Sequence, residues 1–238
     1  METFIHNGWC PICDNSVIFS SENIWFRDFL LCSNCGSIPR ERALFKVISD
    51  YYPSYHNLNI HESSPANRGA SPKLKSECKN YSSSQFFPNV TFGTIDSKTG
   101  FRCENLEALT FPDNSFDIFI TQDVMEHIFD FKKAFKEIAR VLKPGGAHIF
   151  TAPLINKGNK SECWASRGED GEITYHHKAE YHGNPVDDKG ALVTMHWGYD
   201  IASYITDVAG TPTTIIMIDD IDLGIRAEYI EVLVSHKR

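Results

Sequence analysis

The stretch from Pro112 to Thr151 constrains the fold more than any other part of the chain. Pro112-Asp-Asn-Ser115 reads as a turn, and residues 116–121 follow as an apolar run of the buried parallel-strand type. Asp130 stands at the N-cap of a helix whose apolar residues Phe131, Ala134, Phe135, Ile138 and Leu142 recur every three or four positions. Lys143-Pro-Gly-Gly146 stops that helix, and residues 147–151 resume an apolar strand. Strand, helix and strand in this order predict a crossover in a parallel, doubly wound α/β sheet. Near the end, residues 213–218 and 227–235 are two more apolar strands, joined by Asp219-Asp-Ile-Asp-Leu-Gly224. Strands so close in sequence pair antiparallel.

A second feature marks off a small N-terminal module. Cys10-Pro-Ile-Cys13 and Cys32-Ser-Asn-Cys35 are two CxxC pairs separated by 18 residues, whereas Cys78, Cys103 and Cys163 are scattered. Two knuckles at this spacing predict a structural zinc site of four thiolates, with a hairpin between them. Disulfides would need an exported chain and a redox dithiol would need only one pair, so zinc is the preferred reading. Residues 1–40 are therefore expected to form a zinc-ribbon module and residues 41–238 the main domain. Arg40 and Arg42 follow the second knuckle at a helix start, where the helix dipole disfavours cations. They are candidates for contact with an anionic group on a substrate, or for pairing with Glu41, Asp28 or the acidic main domain.

Charge follows the same division. Of the net −8 carried by the 238 residues, residues 1–80 contribute 0 and residues 81–238 all of it. An acidic body argues against a nucleic-acid partner. No apolar run has the length of a membrane span, and METFIHNGWC lacks the basic and apolar regions of a secretory signal. The expectation is a cytoplasmic protein with no membrane partner; no signal for an oligomeric state is present.

Three stretches, Leu109-Thr-Phe-Pro-Asp-Asn-Ser-Phe-Asp117, Gln122-Asp-Val-Met-Glu-His127 and Ile138-Ala-Arg-Val-Leu-Lys-Pro-Gly-Gly146, resemble the class I S-adenosylmethionine-dependent methyltransferases in order and spacing. The whole chain is similar to a subgroup in which a four-cysteine knuckle precedes such a domain. The resemblance implies a Rossmann-like sheet of seven strands with the last antiparallel, and S-adenosylmethionine as cofactor. It also directs attention to Leu58-Asn-Ile-His-Glu-Ser-Ser-Pro-Ala66, where the family has a glycine-rich loop and this chain has no glycine before Gly69. Small residues such as Ser63 still permit close approach of the cofactor, and His61 or Glu62 stands where the family's acidic residue meets its amino group. Ser84 or Gln85 takes the place of the residue that holds the ribose hydroxyls. Asn105 and Leu106 correspond to the adenine clamp, and Gln122 and Asp123 to the wall beside the methionine portion.

Residues 153–197 form a 45-residue polar insert after the fifth strand, rich in histidine and aromatic residues. A loop of this length, at the strands' carboxyl ends, is expected to be the acceptor site. If the acceptor is an alcohol, methyl transfer benefits from a general base, and histidine suits that role near neutral pH. His182 is the first candidate, His196 the second and His127 the third, with Tyr181, Asn184 and Trp197 as further acceptor contacts. A sugar, glycan precursor or similarly polar small metabolite is the expected acceptor. The alternatives are an RNA or protein methyltransferase that grips its substrate with the zinc knuckle, and a non-catalytic binding module.

Overall fold

The computed structural model describes residues 3–183 and 189–238. The N-terminal part is a three-stranded antiparallel sheet of β1 (Phe4–Cys10), β2 (Asn15–Ser21) and β3 (Leu31–Cys32), with the short helix α1 (Phe26–Phe29) before β3. Helix α2 (Pro39–Tyr51) leads into β4 (Asn59–Ser63), α3 (Ala70–Glu77), β5 (Asn80–Gln85) and β6 (Arg102–Cys103). Next come β7 (Phe116–Gln122), α4 (Phe131–Val141) and β8 (Leu142–Thr151), the predicted crossover. Asp130 caps α4 as expected, accepting a hydrogen bond from the Lys133 amide. Strand β8 starts earlier than the sequence suggests. Leu142 pairs with Phe116, and a register irregularity absorbs the Lys-Pro-Gly-Gly segment before regular pairing resumes at Ala147.

The insert is a set of short antiparallel pairs: β9 (Glu162–Cys163), β10 (Ala165–Arg167), β11 (Ile173–Tyr175), β12 (Tyr181–His182), β13 (Ala191–Leu192) and β14 (Met195–His196). Strand β10 pairs with β11, β12 with β13 and β9 with β14. The chain ends in α5 (Ile201–Ala209), β15 (Thr213–Ile216) and β16 (Val232–His236). Asp200 precedes α5 but makes no capping bond; its carboxylate instead accepts from the amide and hydroxyl of Ser161, tying the insert to the helix.

The main sheet runs β15-β16-β8-β7-β4-β5-β6. Strands β8, β7, β4, β5 and β6 are mutually parallel, and β16 is antiparallel to both of its neighbours. This is the seven-stranded methyltransferase sheet with its antiparallel last strand. Side chains alternate across it, as the pleat requires. Ile118, Ile120, Ile149, Val232 and Val234 face α2 and the N-terminal hairpin, while Phe119, Phe150 and Leu233 face α4 and α5. Both faces are covered, which is why its strands read as continuous apolar runs. Phe19 of β2 lies in the first cluster together with Leu44 and Ile48 of α2, so hairpin and sheet share one core. No helix among the described residues is long and apolar enough to cross a membrane.

Candidate functional site

Cys10 and Cys13 bracket the tight turn between β1 and β2, and Cys32 and Cys35 bracket the turn after β3. The turns bring all four Sγ atoms within 4.8 Å of one another. Cys10–Cys35 and Cys13–Cys32 are each 3.8 Å apart, far beyond a disulfide bond. A zinc–thiolate bond of about 2.3 Å gives a tetrahedron with edges of about 3.8 Å, so the donor set fits a closed metal site of four thiolates. Arg42 lies beside it and departs from both sequence readings, neither open to an anionic substrate group nor hydrogen-bonded to a carboxylate among the described residues. Its guanidinium is fully buried and donates to the carbonyls of Leu30, Ser37 and Gly224. Burial pulls its pKa down to about 10, against the favourable charge of the neighbouring cysteines. It supplies countercharge and crosslinks hairpin, helix and C-terminal loop.

Arg40 makes the acidic pairing, to Asp28 at 2.7 Å and to Asp123 at 2.9 Å. Arg27, which sequence reasoning missed, reaches the same Asp123 at 2.7 Å. Asp123 follows β7 with φ +51 and accepts from the Thr151 hydroxyl. Burial alone would raise its carboxyl, but the two guanidiniums prevail and hold it down to about 2. Asp123 is thus a fully engaged anion that locks the N-terminal module to the carboxyl edge of the sheet.

The loop after β4 solves its lack of glycine in an unexpected way. Ser64 itself takes φ +58, the left-handed conformation that glycine ordinarily supplies, and its amide donates to the Ser84 carbonyl at 2.8 Å. Glu62 lies beneath, buried, accepting from Ser71 (2.7 Å), Tyr81 (2.6 Å) and Gln122 (2.7 Å). Burial pushes its carboxyl up while those three bonds favour the ionised form. Glu62, Ser63 and Gln122 therefore meet at one strand edge. His61 does not join them. It projects to the opposite face, bonded to Ser82 and Ser84 at 2.9 Å each and packed on Phe111, Phe116 and Phe119. Burial, with help from the Arg102 charge, drives its pKa down to about 3. Ser84 is spent on His61, so of the two ribose candidates Gln85 is the one whose side chain makes no hydrogen bond among the described residues. Asn105 accepts from the Glu107 amide at 2.9 Å within its own turn, and Leu106 is buried in the core.

The histidines converge beyond β7. His127 donates from Nδ1 to the Leu192 carbonyl of β13 at 2.9 Å. Strand β13 pairs with β12, which carries His182 opposite Ala191. The two imidazoles meet edge to face, 5.1 Å between centroids. Glu126 joins them, with an oxygen 3.7 Å from His127 Nε2 and 4.0 Å from His182 Nδ1. Sequence reasoning did not single out Glu126, although it lies in the quoted Gln122–His127 motif. It is 1% exposed and neither carboxyl oxygen finds a hydrogen-bond partner among the described residues. Burial and the nearby charge of Asp123 push its carboxyl up to about 8.

Glu180, also missed, accepts from His182 Nε2 at 3.2 Å and from His196 Nε2 at 3.1 Å. Thr194 fastens the insert, its amide donating to Glu126 O and its hydroxyl to Ile128 O. Behind this group Trp164 stacks between His196 and His177, at 3.6 and 4.0 Å. Tyr181 is exposed at the rim. Trp197 departs from expectation: it is 1% exposed, packed among Phe131, Phe135 and Tyr204, because the insert ends by feeding this indole into the core below α4 and α5. Asn184 lies outside the described residues.

A family model described as a methyltransferase domain matches residues 71–150. The match begins after the serine-containing β4 loop, the part that departs from the usual glycine-rich pattern. Among curated proteins, the ubiquinone/menaquinone biosynthesis C-methyltransferase UbiE of Hydrogenovibrio crunogenus is 32% identical over 114 residues, which are 42% of this chain and 45% of that protein. The glycine/sarcosine/dimethylglycine N-methyltransferase of Actinopolyspora halophila is 38% identical over 56 residues, 24% of this chain and 10% of that protein. The chain thus spans less than half the length of the curated relatives it matches. Among solved structures, an S-adenosylmethionine-dependent methyltransferase of Mesorhizobium loti superposes with a TM-score of 0.50 at 15% identity, over 82% of this chain and 98% of that one. Residues 71–150 thus match a methyltransferase-domain model, and the sheet has the fold of a solved methyltransferase.

Proposed function

We propose that this chain is a class I S-adenosylmethionine-dependent methyltransferase, with a structural zinc module in residues 1–40 and the catalytic domain in residues 41–238. The observation that carries the reading is the meeting of Glu126, His127 and His182 just beyond Gln122, at the carboxyl end of β7. When bound, S-adenosylmethionine supplies an electrophilic methyl group on sulfonium. This chain's own contribution is to align an acceptor with it and to exclude water. The backbone around Ser63 and Ser64 and the side chains of Gln85 and Gln122 would hold the cofactor; Asp123 shapes that edge through its arginine pairs.

The acceptor would lie under the insert. Polar side chains of Tyr181, Glu180, His182 and His196 line that side and suit a small hydroxylated molecule, of which a sugar or glycan precursor is the reading we favour. The names of the two curated relatives include carbon and nitrogen methylation, so the atom that receives the methyl is not inherited from them. The acidic charge of residues 81–238 disfavours RNA as the alternative substrate.

Two measurements test the reading. Calorimetric titration with S-adenosylmethionine is expected to show one site, and an absence of both heat and thermal shift would return the chain to a binding module. A methyl-transfer screen of nucleotide sugars and oligosaccharides against bulk RNA separates the substrate classes. In the assay so identified, His182→Ala is expected to lower turnover about a hundredfold while cofactor affinity is kept.

A further inference from the structure

Glu126 is the least explained group in the molecule. A carboxyl group with no hydrogen-bond partner among the described residues is costly to bury, and this one points at two imidazole nitrogens instead of at donors that would satisfy it. The separations of 3.7 and 4.0 Å are too long for hydrogen bonds. They are close to what three ligands around one ion need: metal–nitrogen and metal–oxygen bonds of about 2.0–2.2 Å in a tetrahedral site put neighbouring donors about 3.3–3.6 Å apart.

We propose that Glu126, His127 and His182 form a binding site for one divalent transition-metal cation, held through a Glu126 carboxylate oxygen, His127 Nε2 and His182 Nδ1. The tautomers support it. The Leu192 carbonyl can only accept, so His127 carries its proton on Nδ1 and leaves the Nε2 lone pair facing Glu126. The Glu180 carboxylate accepts a hydrogen bond from the Nε2–H of His182, which leaves the Nδ1 lone pair facing the same point. Ligating histidines commonly have their second nitrogen fixed in this way by a carbonyl or carboxylate. Glu180 further couples His182 to His196, and Thr194 pins β14 to the backbone of Glu126 and Ile128. Two imidazoles with one carboxylate suit zinc, cobalt, nickel or iron(II) better than magnesium or calcium, which favour oxygen. Three protein ligands leave positions open, and a hydroxyl or carboxylate oxygen of an acceptor is the chemistry that would fill them. The inference goes beyond the methyltransferase reading and does not need it, since cation binding is read with no cofactor present.

The test is zinc titration by calorimetry with elemental analysis on the full chain whose cysteine site is already loaded. Wild type is expected to take up one further equivalent. His182→Ala and Glu126→Gln are each expected to weaken that equivalent at least about tenfold, whereas His176→Ala, elsewhere in the insert, leaves it unchanged. His182 is half-exposed on a two-residue strand, so its variant keeps the test open if Glu126→Gln fails to fold. With 15N-labelled histidine, zinc is expected to shift Nε2 of His127 and Nδ1 of His182. No further equivalent in the wild type, or one that survives both variants, overturns the proposal. Cofactor titration on the same samples reports the methyltransferase reading separately.

Discussion

Ser64 holds a left-handed backbone that costs a side chain about 1 kcal/mol relative to glycine, at the turn where backbone approaches the expected cofactor. Ser64→Gly is therefore expected to raise stability by up to about 1 kcal/mol in urea denaturation, with cofactor affinity kept. Ser64→Val, β-branched at positive φ, is expected to lower both. Buried histidines act in the opposite direction under acid. His61 and His148 are both pushed down to about 3, chiefly by burial. Between pH 6.5 and 3 the unfolded chain binds protons that the folded chain refuses, so stability falls as pH falls, by about 1.4 kcal/mol per pH unit for each group. Denaturation midpoints measured from about pH 7.5 to about pH 5 are expected to drop. His148→Phe is expected to flatten that slope, although it leaves Thr121 without its partner.

At the scale of elements, the N-terminal hairpin is fastened to the 3-10 turn at residues 221–223 by close approach. A Cβ at Gly224 would lie 2.6 Å from the Phe19 ring, and one at Gly8 would strike the Asp222 carbonyl. Gly224→Ala is expected to cost at least about 2 kcal/mol, from strain at φ +65 plus the clash. Gly210→Ala, at φ +69 with open space around it, is expected to cost about 1 kcal/mol and isolates the clash. Both are read from urea midpoints. The β7–α4–β8 crossover was legible in the sequence because its apolar periods and cap are local signals. The cysteine cluster was legible because knuckle spacing carries its own geometry. The engagement of Arg42 was hidden, since its partners Leu30 and Gly224 lie 12 and 182 residues away. Glu126 was hidden for the same reason: its surroundings come from β12, more than fifty residues on. Trp197 was misread because a polar insert gives no sign of the one residue it sends into the core.

For the molecule as a whole, Asp123 joins two parts that the sequence keeps apart. It receives Arg27 from α1 and Arg40 from α2 while sitting beside Gln122 at the proposed cofactor edge. Loss of the metal from the cysteine cluster would loosen the segment carrying both arginines. Cys32→Ser is thus expected to release one equivalent of zinc in metal analysis and also to weaken S-adenosylmethionine binding about tenfold. Unchanged cofactor affinity in that variant would show the two parts to be energetically independent.

The stack of Trp164 between two histidines makes the insert its own optical reporter. Indole emission depends on what lies against the ring, and Trp164 has the His177 and His196 imidazoles stacked on it. An acceptor that draws His196 off the indole is expected to change that emission. Stopped-flow fluorescence on the unlabelled protein, with Trp164→Phe as the control that leaves only the emission of Trp9, Trp25 and Trp197, would then time the docking of an acceptor before its chemistry is known.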